Sequence, residues 1–267
     1  EIKDRALKFS NDWGEETKER AEKDSFYNEF FHVFGIQRKK VATFEEPVKK
    51  LSGNQGFIDL FWKGTLLVEH KSKGKNLDKA FTQSGSKQKS SGFFVYGPQT
   101  TLFLTVGKGT LLFALDENIE MFVIINDEVS IPKSTSEFAI NAAYKRYWNS
   151  PTVKYIQDCQ DGEDGSRKKN FGMRWVGSLV ADASRILIRG GVFLYPSDAR
   201  TKYKNGRLRL TYEANPIAFL IEQAGGKAIN GIDDILAVPV KNIHQRSPLV
   251  FGSSDEVIIY RKHCKNL

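Results

Sequence analysis

The sequence predicts an α/β protein in which helices and sheets pack in layers. Strand patterns with period two alternate with patterns of helical periodicity along most of the 267 residues. Glycine and Asp/Asn turns separate these patterns, as is typical of short elements in a compact domain. A Ser/Gly/Lys-rich passage, SGSKQKSSG, begins at Ser84 and divides the chain into the segments 1–83 and 84–267.

Composition and charge limit the possible functions. Apolar residues make up 40% and charged residues 27% of the chain, as in a water-soluble protein. The longest apolar runs are too short to cross a bilayer and no signal-peptide pattern opens the sequence, so we expect a cytoplasmic protein without a membrane partner. The net charge of +8 favours an anionic partner, either nucleic acid or a phosphorylated small molecule.

The first segment predicts one helix followed by three strands. Ser25 is a candidate N-cap for the pattern FYNEFFHVFGI, which Gly35 would end. The buried face of this helix would carry Phe26, Phe30, Phe31 and Phe34. Strands are predicted at 41–44, 56–62 and 65–71, with Lys63-Gly64 in the hairpin between the last two.

Three charged residues of these strands form a candidate catalytic set. Glu69 and Lys71 are two residues apart and share one face of a strand, while Asp59 lies within the preceding strand. A two-residue turn would place Asp59 opposite Val68, whereas an odd-numbered connection would place it opposite Glu69. Converging carboxylates could hold a divalent cation beside a lysine that orients water, but three ordinary charges on a half-exposed sheet would give the same pattern.

Two longer motifs, GFIDLFWKG and LLVEHKSKGK, resemble the N-terminal nuclease segment of large single-chain restriction–modification proteins of the PD-(D/E)XK group. The resemblance covers roughly residues 10–83 and ends before that nuclease domain would be complete. It implies DNA as a partner and a catalytic set of Asp59, Glu69 and Lys71, with the two carboxylates binding Mg²⁺. Glu29 on the preceding helix is a further candidate.

The second segment predicts a run of strands and then mixed elements. Strands are expected at 93–96, 101–106, 110–116, 121–126, 192–196 and 249–251, with another ending near Val240. Helices are expected from Ser150, over 173–189 and from Ser254.

The stretch 205–226, NGRLRLTYEANPIAFLIEQAGG, organises this segment. Arg207–Tyr212 predicts a strand, Asn215-Pro216 an N-cap and first helical residue, and Gly225-Gly226 the end of that helix. Glu213 would then lie at a strand-to-helix junction, which suits either a metal ligand or a solvated strand-end carboxylate.

Long motifs in this segment, including MRWVGSLVADASRILIRGGVFLYPSDAR and GRLRLTYEANPIAFLIEQAGGKA, resemble the C-terminal portion of bacterial class I fructose-1,6-bisphosphatase. The resemblance runs from about Ser84 to the end of the chain. It implies a layered sugar-phosphatase fold, Mg²⁺-dependent removal of the 1-phosphate from fructose 1,6-bisphosphate, and a homo-oligomer.

The same resemblance implies the roles of individual residues. The 6-phosphate of the substrate or of fructose 6-phosphate would be bound by Asn141, Tyr144, Tyr195 and Arg207, and in a neighbouring subunit by Arg174. The backbone of Gly177-Ser178 would contact sugar hydroxyls, and Glu213 would bind metal.

The resemblance also implies a missing part of the site. The family builds most of its metal cluster from an Asp-Pro-Leu-Asp-Gly-Ser motif and an upstream Glu, for which this sequence has the nuclease-like segment instead. Because one carboxylate cannot hold such a cluster, we expect weak or no bisphosphatase activity and a retained 6-phosphate pocket. The alternatives are an Mg²⁺-dependent DNA endonuclease and a chimeric chain without turnover.

Overall fold

The computed structural model describes residues 90–119 and 121–265 and, before them, residues 5, 8, 12, 19–33, 37–40, 43–49, 55–62 and 66–68. The chain divides into two compact units, Glu1–Lys87 and Gln88–Leu267. Within the described ranges, no helix combines the length and the apolar character needed to cross a membrane.

The described elements of the first unit are one helix and an antiparallel meander. The helix α1 spans Glu19–Val33 and is followed by a 3₁₀ turn, Arg38–Lys40. The three strands are paired in the order β1-β2-β3, where β1 is Thr43–Lys49, β2 is Gln55–Trp62 and β3 is Leu66–Val68.

The helix differs from its prediction at its start and in its buried face. It begins before Ser25, because the preceding residues ERAEKD are mostly good helix formers, so the predicted cap at Ser25 is wrong. Tyr27 and Phe31 are buried, whereas Phe30 is exposed. The buried stripe therefore follows the i, i+4 pair Tyr27 and Phe31 rather than the phenylalanine pattern.

The register of β2 and β3 bears on the candidate catalytic set. Leu60 pairs with Val68 and Trp62 with Leu66, so three residues separate the two strands. This is the odd-numbered connection that the convergence of Asp59 with Glu69 requires. The side chain of Asp59 and all of Glu69 and Lys71 lie outside the described residues, so the set itself remains a prediction.

The second unit contains two larger sheets. Four antiparallel strands follow one another in space as in sequence: β4 (Ser91–Val95), β5 (Thr101–Thr105), β6 (Leu111–Asp116) and β7 (Met121–Asn126). The other sheet has the order β12-β14-β10-β8-β9, with β8 at Glu137–Ala139, β9 at Gly172–Met173, β10 at Val192–Tyr195, β12 at Lys227–Ile229 and β14 at Leu249–Gly252. A separate pair joins β11 (Leu208–Arg209) to β13 (Arg246–Ser247).

Four helices cover these sheets in layers. They are α2 (Ser150–Gln160), α3 (Leu179–Arg189), α4 (Asn215–Gln223) and α5 (Ser254–Lys265). Both α3 and α4 contact the four-stranded sheet and the five-stranded sheet, while α5 packs on the latter together with α2. Successive residues of β10 alternate between two cores, since Phe193 belongs to one and Leu194 to the other. The predicted layered α/β architecture is confirmed for this unit.

Two predicted elements of the second unit are wrong, a helix in its start and a strand in its existence. The helix expected from Met173 begins at Leu179, because Met173 pairs in β9 and Gly177 adopts a left-handed φ of 88°. Val176, predicted to face inward, is exposed. No strand ends near Val240 in the described structure, where a 3₁₀ turn, Ile235–Ala237, and a loop stand instead.

The stretch 205–226 also departs from its prediction. Strand pairing is limited to Leu208 and Arg209, and a π-helical turn, Leu210–Ala214, then runs directly into α4. Asn215 has helical φ and ψ of −61° and −47°, so it does not cap the helix. Leu210 and Ala214, the first and last residues of this turn, are both fully buried in the core, which holds the turn at both ends.

Candidate functional site

A cleft beside the C-terminal end of β10 brings together four of the predicted site residues. Its lining residues are Ile140, Asn141, Tyr144, Trp148, Leu194, Tyr195, Pro196, Asp198 and Arg207, here termed the tyrosine–arginine pocket. The empty space is about 290 Å³, part of it open to solvent. The space enclosed by the pocket is only about 20 Å³, far below the roughly 300 Å³ of a whole small-molecule site, so the pocket suits one end of a ligand.

Arg207 is the central cation of the pocket. Its Nη1 donates to the Tyr195 hydroxyl at 3.4 Å. The guanidinium carbon lies 3.8 Å from the centre of the Tyr203 ring and 4.4 Å from that of Tyr144. These contacts hold the guanidinium against aromatic faces, which orients its N–H edge and leaves its charge in place.

Arg200 and Asp198 extend this cluster. Asp198 accepts from Arg200 Nε at 3.1 Å and from Nη2 at 2.6 Å, and Arg207 Nη2 lies 4.0 Å from the same carboxylate. The Arg200 guanidinium carbon is 4.5 Å from the centre of the Tyr144 ring, so this ring contacts both arginines. Two guanidiniums against one carboxylate leave the cluster with a formal surplus of one positive charge.

The arginines shift the pKa of their neighbours. A hydrogen bond with Arg207, followed by the positive charge of Arg207, lowers the pKa of the Tyr144 phenol. Burial acts to raise the pKa of Asp198, but hydrogen bonds from Arg200 prevail and lower it. Asp198 is therefore an anion at neutral pH, and Tyr144 deprotonates more readily than an ordinary tyrosine.

Asn141 contributes a donor to the pocket. It caps the 3₁₀ turn Ala142–Tyr147, and its Oδ1 accepts from the Ala143 N–H at 3.1 Å. Because the oxygen is engaged, the amide NH₂ is the group that remains for a ligand.

The loop before α3 carries three predicted site residues, none of which lines the tyrosine–arginine pocket of this chain. The buried Asp182 accepts from the Gly177 N–H at 3.2 Å and so fixes this loop. Gly177 and Ser178 are exposed beside it. The Arg174 side chain is 59% exposed, and its Nε is 3.9 Å from Glu137.

Trp175 links that loop to the pocket. Its ring lies beside Phe193 and Tyr195 in nearly parallel planes, with centroid distances of 5.4 and 6.0 Å, and the centroids of those two rings are 6.0 Å apart. This stacking restrains the Tyr195 ring, and with it the position of the hydroxyl that Arg207 contacts.

Glu213, the predicted metal ligand, has one carboxylate oxygen engaged by Arg209. Its Oε2 accepts from the Arg209 N–H at 2.6 Å and lies 3.6 Å from Arg209 Nη1. No described residue hydrogen-bonds to Oε1. Among the described residues, no three His, Cys, Asp or Glu side chains group as a metal site. The described part of the chain thus offers a hard cation one carboxylate oxygen at this place.

Sequence reasoning missed several residues of the site. Asp198, Arg200 and Tyr203 follow the strand VFLYP within nine residues, in the motif SDARTKY. An acid and an arginine two residues apart in a turn signal a local ion pair, but they carry no sign that the turn folds back onto Tyr144.

Two family models match the chain. Residues 131–265 match the model described as fructose-1,6-bisphosphatase, C-terminal domain. Residues 4–120 match that of the MmeI N-terminal domain, from restriction–modification proteins.

The curated relatives match about two thirds or more of this chain. The class 1 fructose-1,6-bisphosphatase of Azorhizobium caulinodans is 54% identical over 178 residues, which are 67% of this chain and 54% of that enzyme. The class 1 enzyme of Sinorhizobium medicae is 50% identical over 213 residues, 79% of this chain and 61% of its own length. The chain spans about half the length of most of the curated relatives it matches.

A solved structure shares the fold. The crystal structure of Leishmania major fructose-1,6-bisphosphatase in its holo form aligns with a TM-score of 0.63 at 38% sequence identity. The alignment covers 66% of this chain and 52% of that chain.

Proposed function

Because this chain belongs to the fructose-1,6-bisphosphatase family through residues 131–265, we propose that its second unit binds a phosphorylated sugar and acts as a sugar-phosphate phosphatase. The proposed substrate is fructose 1,6-bisphosphate, and the proposed product is fructose 6-phosphate. The observation that carries this proposal is the convergence of Asn141, Tyr144, Tyr195 and Arg207 in one pocket.

The tyrosine–arginine pocket would bind the phosphate that is not hydrolysed. Arg207 offers a planar guanidinium that can donate two N–H groups to phosphate oxygens. The hydroxyls of Tyr144 and Tyr195 and the amide of Asn141 add neutral donors around it. Holding the remote phosphate would orient the reacting end of the sugar, which reduces the entropic part of the barrier.

A second copy of the chain would complete this binding site. We propose that the exposed Arg174 reaches the same phosphate in a neighbouring subunit of a homo-oligomer. The Gly177 N–H already donates to Asp182. Contacts from this loop to sugar hydroxyls would therefore come from the Ser178 N–H and the Gly177 carbonyl.

Glu213 is the proposed metal ligand. Bound Mg²⁺ would neutralise phosphate charge at the reacting end. Because Mg²⁺ takes several oxygen ligands and Glu213 supplies one carboxylate, we propose that turnover by this chain is slow. Phosphate release from fructose 1,6-bisphosphate with Mg²⁺, compared between wild type and Glu213→Ala, tests this point. Release that persists in Glu213→Ala would contradict the role of Glu213.

Fructose 6-phosphate binding tests the pocket directly. In calorimetric titrations of the full chain, we expect Arg207→Ala to weaken binding by about tenfold or more, since a charge-assisted contact is lost. Arg207→Lys should bind fructose 6-phosphate with an affinity between those of wild type and Arg207→Ala, because it keeps the charge and loses the planar donor pair. Saturable binding that is identical in all three proteins would refute the pocket.

A second candidate function is an Mg²⁺-dependent DNA endonuclease in the first unit. It is supported by the match to the MmeI N-terminal domain and by the Leu60–Val68 register. Asp59 and Glu69 would bind metal and Lys71 would orient the attacking water. Plasmid nicking that requires Mg²⁺ and disappears in Glu69→Ala would support it, and intact plasmid across several divalent metals would reject it. Intact plasmid together with no phosphate release would leave a chain without turnover.

A further inference from the structure

A second, wider cleft adjoins the segment 198–207. The two ends of this segment, Asp198 and Arg207, line the tyrosine–arginine pocket, whereas Thr201, Lys202, Lys204 and Asn205 between them line the cleft. Two further loops, 230–233 and 238–248, complete its walls. The space within the cleft is about 720 Å³, so the cleft is larger than a single phosphate group needs.

The charged side chains of this cleft are mostly cationic. They are Lys202, Lys204, Lys241, Arg246 and one acid, Asp233, which give a formal surplus of three positive charges; we term this region the basic cleft. Asp233 is engaged by its own loop, where it accepts from Asn230 Nδ2 at 3.3 Å. Within the described ranges, no carboxylate oxygen lies within 4.0 Å, the limit for an ion pair, of a side-chain nitrogen of these four cations.

The loop 238–248 is held in a fixed shape by Gln245. Its side-chain Oε1 accepts from the Lys241 N–H at 2.6 Å, and its Nε2 donates to the Pro239 carbonyl at 3.1 Å. The Gln245 carbonyl in turn accepts from the Leu210 N–H at 2.6 Å. Lys241 therefore extends from an ordered wall, which lowers the entropy that a ligand must remove on binding.

Hydrogen bonds and backbone packing join the loop 238–248 to the opposite wall of the cleft, which is the segment 198–207. The Arg246 guanidinium donates to the Arg207 carbonyl at 3.1 Å, and the Gly206 N–H donates to the Tyr203 carbonyl at 2.9 Å. Gly206 has a φ of 82° and packs against the backbone of Ser247 and Pro248. The lysines of both walls are thus presented across a preformed concave surface rather than along one flexible loop.

From this arrangement we propose that the basic cleft binds a small molecule with two or more phosphate groups. Separated cations on two walls suit separated anionic groups of one ligand. Asn205, Asn230 and Asn242 on the same lining offer amide groups for hydroxyls between the phosphates. A concave, three-sided cleft favours a compact ligand over a duplex, whose charges lie along an extended rod.

Calorimetric titration of the full chain with sodium tripolyphosphate tests this proposal. Lys202→Glu/Lys241→Glu reverses one charge on each wall. The matched control, Lys108→Glu/Lys154→Glu, makes the same charge change at two exposed lysines outside the cleft. We expect the cleft variant to bind about tenfold more weakly than wild type and the control to stay within about twofold. Lys204→Gln, a milder change, should weaken binding if the double variant does not fold.

Three outcomes would overturn the proposal. Equal weakening in the cleft variant and the control would mean attraction by net charge alone. Absence of any binding heat in wild type would mean no site. Displacement of tripolyphosphate by a DNA duplex with the same dependence on Lys202 and Lys241 would assign the surface to nucleic acid. Tripolyphosphate binding that is retained in Arg207→Ala would show that the basic cleft is a separate site from the tyrosine–arginine pocket. The test of the basic cleft therefore does not depend on whether the tyrosine–arginine pocket binds a sugar phosphate.

Discussion

The Asp198 carboxylate binds the Arg200 guanidinium through two atoms, Oδ1 to Nε at 3.1 Å and Oδ2 to Nη2 at 2.6 Å. The pair also reaches the backbone, because Oδ1 accepts from the Arg200 N–H at 3.0 Å. Asp198 thereby folds its own turn and holds one of the two arginines that contact Tyr144. A carboxylate in the proposed phosphate-binding pocket is understandable as the residue that positions these cations.

This ion pair predicts a pH-dependent stability. Burial opposes the effect, but hydrogen bonds from Arg200 hold the pKa of Asp198 below its ordinary value of about 3.9. Its stabilisation is complete above that value and is lost as pH falls through the lowered pKa. In thermal unfolding, we expect Asp198→Asn to melt below wild type at neutral pH and the difference to shrink in acid. The control Asp127→Asn changes an exposed carboxylate; a gap for Asp198→Asn that is constant with pH would contradict this explanation.

Tyr144 predicts how sugar-phosphate affinity changes with pH. The hydrogen bond with Arg207, and then its charge, lower the pKa of the phenol from its ordinary value of about 10. A phenolate cannot donate to phosphate and repels it. Fructose 6-phosphate affinity should therefore fall on raising the pH from neutral through this lowered pKa, a range in which the ligand's own phosphate is already dianionic. Tyr144→Phe should abolish the early part of the fall, and an unchanged profile would count against this role.

Removing the arginine that pairs with the buried Glu256 should lower the stability of the protein at a place far from the tyrosine–arginine pocket. This buried carboxylate accepts from Arg167 Nη2 at 2.6 and 2.8 Å and from the Tyr155 hydroxyl at 2.9 Å. Arg167→Ala would leave an unpaired buried charge and should reduce the free energy of unfolding by about 3 kcal/mol in urea titrations. Adding Glu256→Gln should recover part of that loss. A cost for Arg167→Ala below about 1 kcal/mol would show that water replaces the arginine.

Gly206 and Gly225 form a matched pair for a backbone prediction. Both have a φ of 82°, but an added Cβ at Gly206 would collide with Ser247 and Pro248, whereas at Gly225 it would meet nothing within 4 Å. Gly225→Ala should cost about 1 kcal/mol of left-handed strain. Gly206→Ala should cost several times more, because backbone must also move. Equal melting temperatures would show that the β11–β13 connection yields easily.

The sequence was informative where periodicity and local chemistry agree. The segment VFLYP predicted β10 within a residue, and the family resemblance implied a site of Asn141, Tyr144, Tyr195 and Arg207, which do line one pocket. The π-helical turn that replaces the predicted strand from Leu210 onward was not predictable, because it depends on the packing of Leu210 and Ala214 in a core formed by distant segments. Arg200 was missed for the same reason, since its partner Tyr144 lies more than fifty residues away.

For the first unit, sequence reasoning predicted the order of one helix and three strands and stated the register condition. It failed on the start of α1, where six ordinary helix formers outweighed the capping preference of Ser25. Helix propensity summed over a turn and a half competes with one hydrogen bond from a cap.

The π-helical turn Leu210–Ala214 carries one residue more than an α-helical turn would need. Each residue of an α-helix advances the side-chain direction by roughly 100°. Removing Thr211 would therefore regularise the helix and rotate everything before the deletion relative to α4. Glu213, which follows the deletion in the turn, would keep its position relative to α4, while Arg209 and Arg207 would swing away by more than a quarter turn. The extra residue thus sets the angle about the helix axis between the Glu213 carboxylate, the proposed metal ligand, and the Arg207 guanidinium, the proposed phosphate ligand.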